Sequence, residues 1–169
     1  MTKSSEITTA GLLAAISFMI PMYFGGALMV QVGPFTATIM SHVPTFLAML
    51  ISPLTGAMVG FASGLGFLLK LGPIAGSRGF MHIIIGFLGA YMIKKGRSYK
   101  FVLTALLPVH ALLEALVVIP FGKFALPFIF TSIGIGTALH HTVDSIIAYV
   151  FARTLNQRAK LFKAIEIRN

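Results

Sequence analysis

The stretch "GSRGFMH", residues 76 to 82, sets Arg78 and His82 one helical turn apart at the head of an apolar run. Two further pairs share that spacing, His110 with Glu114 and His140 with Asp144, and His42 stands by itself in "TIMSHVP". Groups four apart lie on one helix face, so each pair can share a hydrogen bond, a proton or a metal ion. For His140 and Asp144 a structural pairing is the leading reading. An arginine, several imidazoles and a carboxylate turned into one cavity would instead grip a small polar solute. A catalytic reading is weaker. The acyltransferase pattern needs one more residue between the paired histidines and Asp144. There is no Ser-His-acid arrangement, no His-Glu-x-x-His and no Walker A sequence, so the chain cannot hydrolyse ATP with a P-loop of its own.

The elements that must position these groups follow from composition. Of 169 residues, 57% are hydrophobic and 10% charged, and the mean hydropathy is +0.93. That is outside the range of water-soluble domains and implies an integral membrane protein. At about 20 residues per crossing, the chain has room for about six transmembrane helices in a single domain, residues 1–169, and none for a soluble one. The net charge of +9 is not a nucleic-acid signature, because the positive residues gather at helix ends rather than on a solvated basic face. They suit topology and anionic lipid headgroups. There is no cysteine, hence no disulfide and no thiolate site. Glu6 interrupts the apolar N-terminal run, which reads as a retained first helix rather than a removed signal peptide.

Breakers and polar loops place the helices at about 6–24, 36–51, 53–70, 76–93, 101–120 and 127–157. With six crossings, ten of the thirteen positive residues fall on one side: Lys3, the 94–100 loop, and Arg153, Arg158, Lys160, Lys163 and Arg168. Lys70, Arg78 and Lys123 fall on the other. The positive-inside rule then puts both termini in the cytoplasm. A rise of ~1.5 Å per residue places His42, Arg78, His82 and Glu114 in the outer half, His110 near the midplane, and His140 and Asp144 below them. Lys70, at the outer end of its helix, joins that convergence or snorkels to the interface, as Arg78 would in the bland reading. Small residues four apart, Gly56-Gly60-Gly64, Ala10-Ala14 and Ala148-Ala152, mark close helix contacts.

"TTAGLLAAISFMIP", "FTATIMSHVPTFLAMLISPLTGAMVGFASGLGFLL" and "GSRGFMHIIIGFLGAYMIKKG" together resemble the substrate-binding S-components of energy-coupling factor (ECF) vitamin transporters, membrane proteins of prokaryotes. The resemblance implies a non-enzymatic subunit of the cell membrane that binds a vitamin at the extracellular side. It also implies a membrane scaffold subunit and two ATPases as partners. These use the ATP, leaving this chain without a cofactor or metal, and drive the subunit to topple in the bilayer. Ala10 and Ala14, with Gly11 beside them, match the scaffold-contacting row. The loop "GGALMVQVGPFT" matches the lid, with Gly25, Gly26 and Gly33 allowing it to move, and Gln31 in it joins the candidate substrate contacts Arg78, His82, His42, Glu114 and His110. The chain starts Met-Thr-Lys, without the Met-x-His of the nickel and cobalt members.

A compact heterocycle suits such a pocket: a pyridoxine-like ligand, hydroxymethylpyrimidine or niacin, with pantothenate an option through its carboxylate. Without tryptophan, a large flat ligand ranks lower. Two other readings stand beside this one. One is a self-sufficient proton-coupled carrier using His110, Glu114, His140 and Asp144 as a relay. The other is an intramembrane metal-dependent enzyme built on the two four-spaced pairs.

Overall fold

The computed structural model describes residues 3–26, 28–33 and 35–159; for Arg158 and Ala159 it describes the backbone alone. Lys160, Lys163 and Arg168, together with the side chain of Arg158, were counted in the topology and lie outside the described residues, as do Ala27 and Pro34 of the expected lid.

Helix α1 (Lys3–Met19) runs into a π-helical turn, Ile20–Phe24, where Pro21 interrupts the hydrogen-bond ladder. A hairpin of two strands follows, β1 (Met29–Val32) and β2 (Phe35–Thr38), paired antiparallel with Val32 opposite Phe35 and Gln31 opposite Thr36. Then come α2 (Val43–Ala48), α3 (Pro53–Leu71), α4 (Pro73–Lys94) and α5 (Tyr99–Val118). A short α6 (Leu126–Ile129) passes through a π-helical segment, Phe130–Ile135, into α7 (Gly136–Ala159).

The architecture is mostly helical, with four helices long and apolar enough to cross a membrane: Lys3–Phe24, Pro53–Leu71, Pro73–Lys94 and Tyr99–Phe121. The helix expected at 36–51 is corrected. Its first part is strand β2, and only Val43–Ala48 is regular α-helix, flanked by turns. β-Branched residues at every second position of "MVQV" and "FTAT" favour strands, and Pro44 in the first turn of α2 fixes where the helix begins. Residues 43–50 are buried throughout. Irregular backbone at membrane depth is tolerated when protein surrounds it.

Gly72 alone joins α3 to α4. Its φ of 86° reverses the chain, its N–H bonds Leu68 O, and Pro73 opens the next helix. The two helices then lie backbone to backbone. A Cβ on Gly56 would strike the Gly86 carbonyl, and one on Gly60 the carbonyl of His82. The glycine row of α3 is thus a seam within the bundle, and Ala148 and Ala152 likewise sit in the main apolar core with Phe46, Val59, Ile85 and Val102.

Candidate functional site

The inner faces of three helices continue from apolar core into polar cluster without changing register. On α5 the buried stripe Leu103, Leu106, His110, Glu114, Val118 carries the imidazole and the carboxylate inward. On α7 the buried positions are Thr137, His141, Asp144, Ala148 and Ala152. On α4 Arg78 and His82 share their buried face with Ala75, Gly79, Ile85 and Gly86. Burial of the helix face, rather than any local preference of the charged residues, takes these groups into the interior.

Glu114 organises one half of the cluster. Its Oε2 accepts from Arg78 Nε (3.0 Å), Arg78 Nη2 (2.6 Å) and Thr137 Oγ1 (2.7 Å). Its Oε1 lies 3.1 Å from His110 Nε2 and 3.5 Å from His82 Nε2. Arg78 also donates through Nη1 to Thr36 Oγ1 and through Nη2 to the Thr36 carbonyl, and its guanidinium stands 5.2 Å from the centre of the Phe35 ring. Arg78 is only 4% exposed, so it is a buried, paired cation and does not snorkel. An ion pair this far from water depends on such additional hydrogen bonds to offset its desolvation.

Asp144 organises the other half. It accepts from the backbone N–H groups of Met40 and His42 (2.9 Å each) and from His42 Nδ1 (3.0 Å), and His140 Nε2 lies 3.1 Å away. His140 Nε2 is also 3.1 Å from the Thr38 carbonyl. Both oxygens of this fully buried carboxylate have partners, one at Oδ1 and three at Oδ2, as its burial requires. The two halves touch: the His42 ring centre is 4.6 Å from that of His82 and 4.7 Å from that of His110.

Four of the expected contacts, Arg78, His82, His42 and Glu114, line one pocket together with Thr36, Ser41, Phe67, Ala75, Gly79 and His140. His110 sits directly behind it, its Nε2 3.1 Å from Glu114 Oε1. The space left between these groups is about that of one water molecule. The expectation that His140 and Asp144 lie apart, below this group, is corrected. Counting residues fixes position along an axis, whereas the hairpin and the short α2 bring His42 level with Asp144 on α7. Lys70 is exposed outside the pocket, beside Gly25. Gln31 is exposed on β1 opposite Thr36 and does not line the pocket. Ala10 and Ala14 are half-buried, Ala14 packing on the apolar core, while Gly11 is open.

Three contributors escaped the sequence reading: Thr36, Thr137 and Ser63, whose hydroxyl lies 2.9 Å from His82 Nδ1. Ser63 had a signal, a polar side chain in the glycine row of α3. Thr137 had one too, four residues before His141 and seven before Asp144. A second cleft of about 290 Å³ between α5 and α7 is lined mainly by apolar groups, among them Leu103, Leu107, Ile146 and Tyr149. It lacks the convergent charges of the first.

The chain is similar to the protein described as "Niacin transporter NiaX" from Lactococcus lactis subsp. cremoris (strain MG1363), with 29% identity over 92% of this chain and 76% of that relative. No family model matches the chain, and no solved structure matches it. The printed role of that relative is transport, and the apolar helices around an enclosed polar pocket in this chain are in keeping with such a role rather than with an enzyme's. The likeness supports the resemblance to ECF S-components that the sequence motifs carry.

Proposed function

We propose that this chain is the solute-binding S-component of an ECF-type importer, and that its solute is a small heterocyclic vitamin of the niacin type, taken up at the outer face of the cell membrane. The observation that carries this reading is the buried Arg78, the permanent cation of a pocket whose other polar lining is imidazoles, hydroxyls and the Glu114 carboxylate. The name of the relative supports niacin ahead of a pyridoxine-like ligand, hydroxymethylpyrimidine or pantothenate. A carboxylate would take over the Arg78 donors now held by Thr36, and Ser41 Oγ, buried without a hydrogen-bond partner, is a further contact for the ring. Entry on this reading requires the β1–β2 hairpin to lift, since the pocket as it stands holds little more than water.

The proposed topology keeps six crossings with both termini cytoplasmic, the second made by the short α2 and its turns and the sixth by α6–α7. The proposed partners are a membrane scaffold subunit and two ATPases, which supply ATP hydrolysis and topple the chain; none of the cofactor chemistry is its own. The outward face of α1 is the proposed scaffold contact. Only 22% of that helix's most apolar stretch is buried, against 39–44% for the other three spanning helices. Gly11 lies open on it, with Ala10 and Ala14 at its edge.

Calorimetry of the purified chain in detergent tests the solute. Saturable binding of nicotinate is expected, and Arg78→Ala should weaken it by roughly 1.5–3 kcal/mol. An unchanged dissociation constant in that variant, or no binding of nicotinate or the three other candidates, overturns the assignment. Gly11→Leu should leave binding intact and abolish co-purification with the scaffold. The chain of contacts from Glu114 through His110 to His141 also suits a proton relay in a self-sufficient carrier. Uptake into vesicles lacking ATP and partners, driven by a pH gradient, would favour that second reading.

A further inference from the structure

The tautomers of the buried histidines follow from their partners. The Leu103 carbonyl can only accept, so His141 Nε2 carries a proton and, in the neutral ring, Nδ1 is an acceptor. His110 Nδ1, 2.9 Å from it, must then donate, which leaves His110 Nε2 as a bare lone pair facing Glu114 Oε1. The same logic applies to His42. Asp144 accepts from its Nδ1, so its Nε2 is bare. The Ser63 hydroxyl, 2.9 Å from His82 Nδ1, can accept from it as well as donate to it, so the tautomer with a bare Nε2 is open to His82; that Nε2 is fully buried with no hydrogen-bond partner, 3.5 Å from the same Glu114 oxygen. Two imidazoles and a carboxylate thus turn electron pairs toward one another in the protein interior, and His82 joins them when Ser63 accepts from its Nδ1. One donor atom from each of His42, His82, His110 and Glu114 falls within a mutual 4.8 Å.

We propose that these four residues bind a divalent late transition metal ion, zinc-like in size and preference, through the Nε2 atoms of His42, His82 and His110 and Oε1 of Glu114. Bonds of about 2.0–2.2 Å around a tetrahedral ion set neighbouring donors about 3.3–3.6 Å apart. The observed separations from Glu114 Oε1, 3.1 and 3.5 Å, are close to that edge. Each ligand also has the outer partner that metal sites use to fix ring orientation and carboxylate geometry: Asp144 for His42, Ser63 for His82, His141 for His110, and Arg78 with Thr137 for Glu114. Charge agrees. Two buried carboxylates stand against one guanidinium, so with neutral imidazoles the cluster lacks positive charge. Imidazole-rich sites of this kind suit zinc, nickel, copper and iron. The ion would sit at the wall of the pocket, since His42, His82 and Glu114 all line it.

Cobalt(II) is the probe. Titrated into the full chain in detergent, free of chelator and of any vitamin, it should bind at one equivalent with the visible absorption of a tetrahedral nitrogen-rich site, and zinc should displace it. His82→Ala and His110→Ala should abolish the absorption. Asp144→Asn, which alters an outer partner, should weaken binding by about 10–100-fold. Circular dichroism and gel filtration establish that each variant is folded, and the native titration decides even where a variant is not. No saturable absorption in the native chain overturns the proposal in favour of a proton shared between His110 and Glu114, and so does an unchanged titration in both alanine variants. The titration uses no solute, so its failure leaves the vitamin assignment standing, and failure of vitamin binding leaves the metal site standing.

Discussion

The seam between α3 and α4 and the histidine cluster meet at His82, yet they are built on opposite principles. In the seam, glycines bring two backbones together, and what holds them is close packing without side chains. In the cluster, long polar side chains from β2, the turn before α2, and α4, α5 and α7 meet over a distance no backbone spans. The seam sets the position of the His82 backbone and, through Ser63, the angle of its ring. A close-packed scaffold holds one wall of a site whose other walls come from separate elements.

That contrast can be broken by substitution. Glu114→Ala should have the largest effect, since it leaves the Arg78 charge buried without its counter-ion. A loss of about 3–5 kcal/mol is expected in denaturant unfolding. Gly56→Leu comes next, at or above the upper end of ~1–3 kcal/mol for overpacking, because the new side chain meets the Gly86 backbone rather than a movable side chain. Ser63→Ala sits where the two regions join. It should cost about 1 kcal/mol in stability. Combined with Glu114→Gln it should be non-additive, whereas Gly56→Leu with Glu114→Gln should add. Additivity in both pairs would mean that the seam does not support the cluster. The smallest effect belongs to Gln31→Ala, exposed on the hairpin, which should stay within about 0.5 kcal/mol.

The seam was legible because its signal is local. Gly56, Gly60 and Gly64 recur every four residues, and a period in sequence becomes a row on a helix. The same holds for α5, where His110 and Glu114 continue the spacing of Leu103 and Leu106. Residues 29–38 fall in the expected loop and the start of the helix expected at 36–51, although every second residue of "MVQV" and "FTAT" is β-branched, a pattern that favours strands. The junction of His42 with Asp144, 102 residues apart, was not legible at all. It depends on a hairpin of set length delivering a turn to the face of α7, and no spacing within either segment encodes that. The sequence marks Arg78 as a costly charge in apolar surroundings, whereas its partner Thr36 is a residue type with no such cost to mark it.

Met40 adopts φ of 70°, unusual for a residue with a side chain, and Asp144 holds its N–H there. His140, one turn earlier on α7, reaches the Thr38 carbonyl. The hairpin is therefore tethered at its trailing end and, through Arg78, at Thr36, while near its tip Gly33 lies close to the Phe128 ring. If the hairpin lifts as proposed while those tethers at Met40 and Thr38 hold, it would swing from that end like a door on its jamb, with the end beside Phe128 parting first.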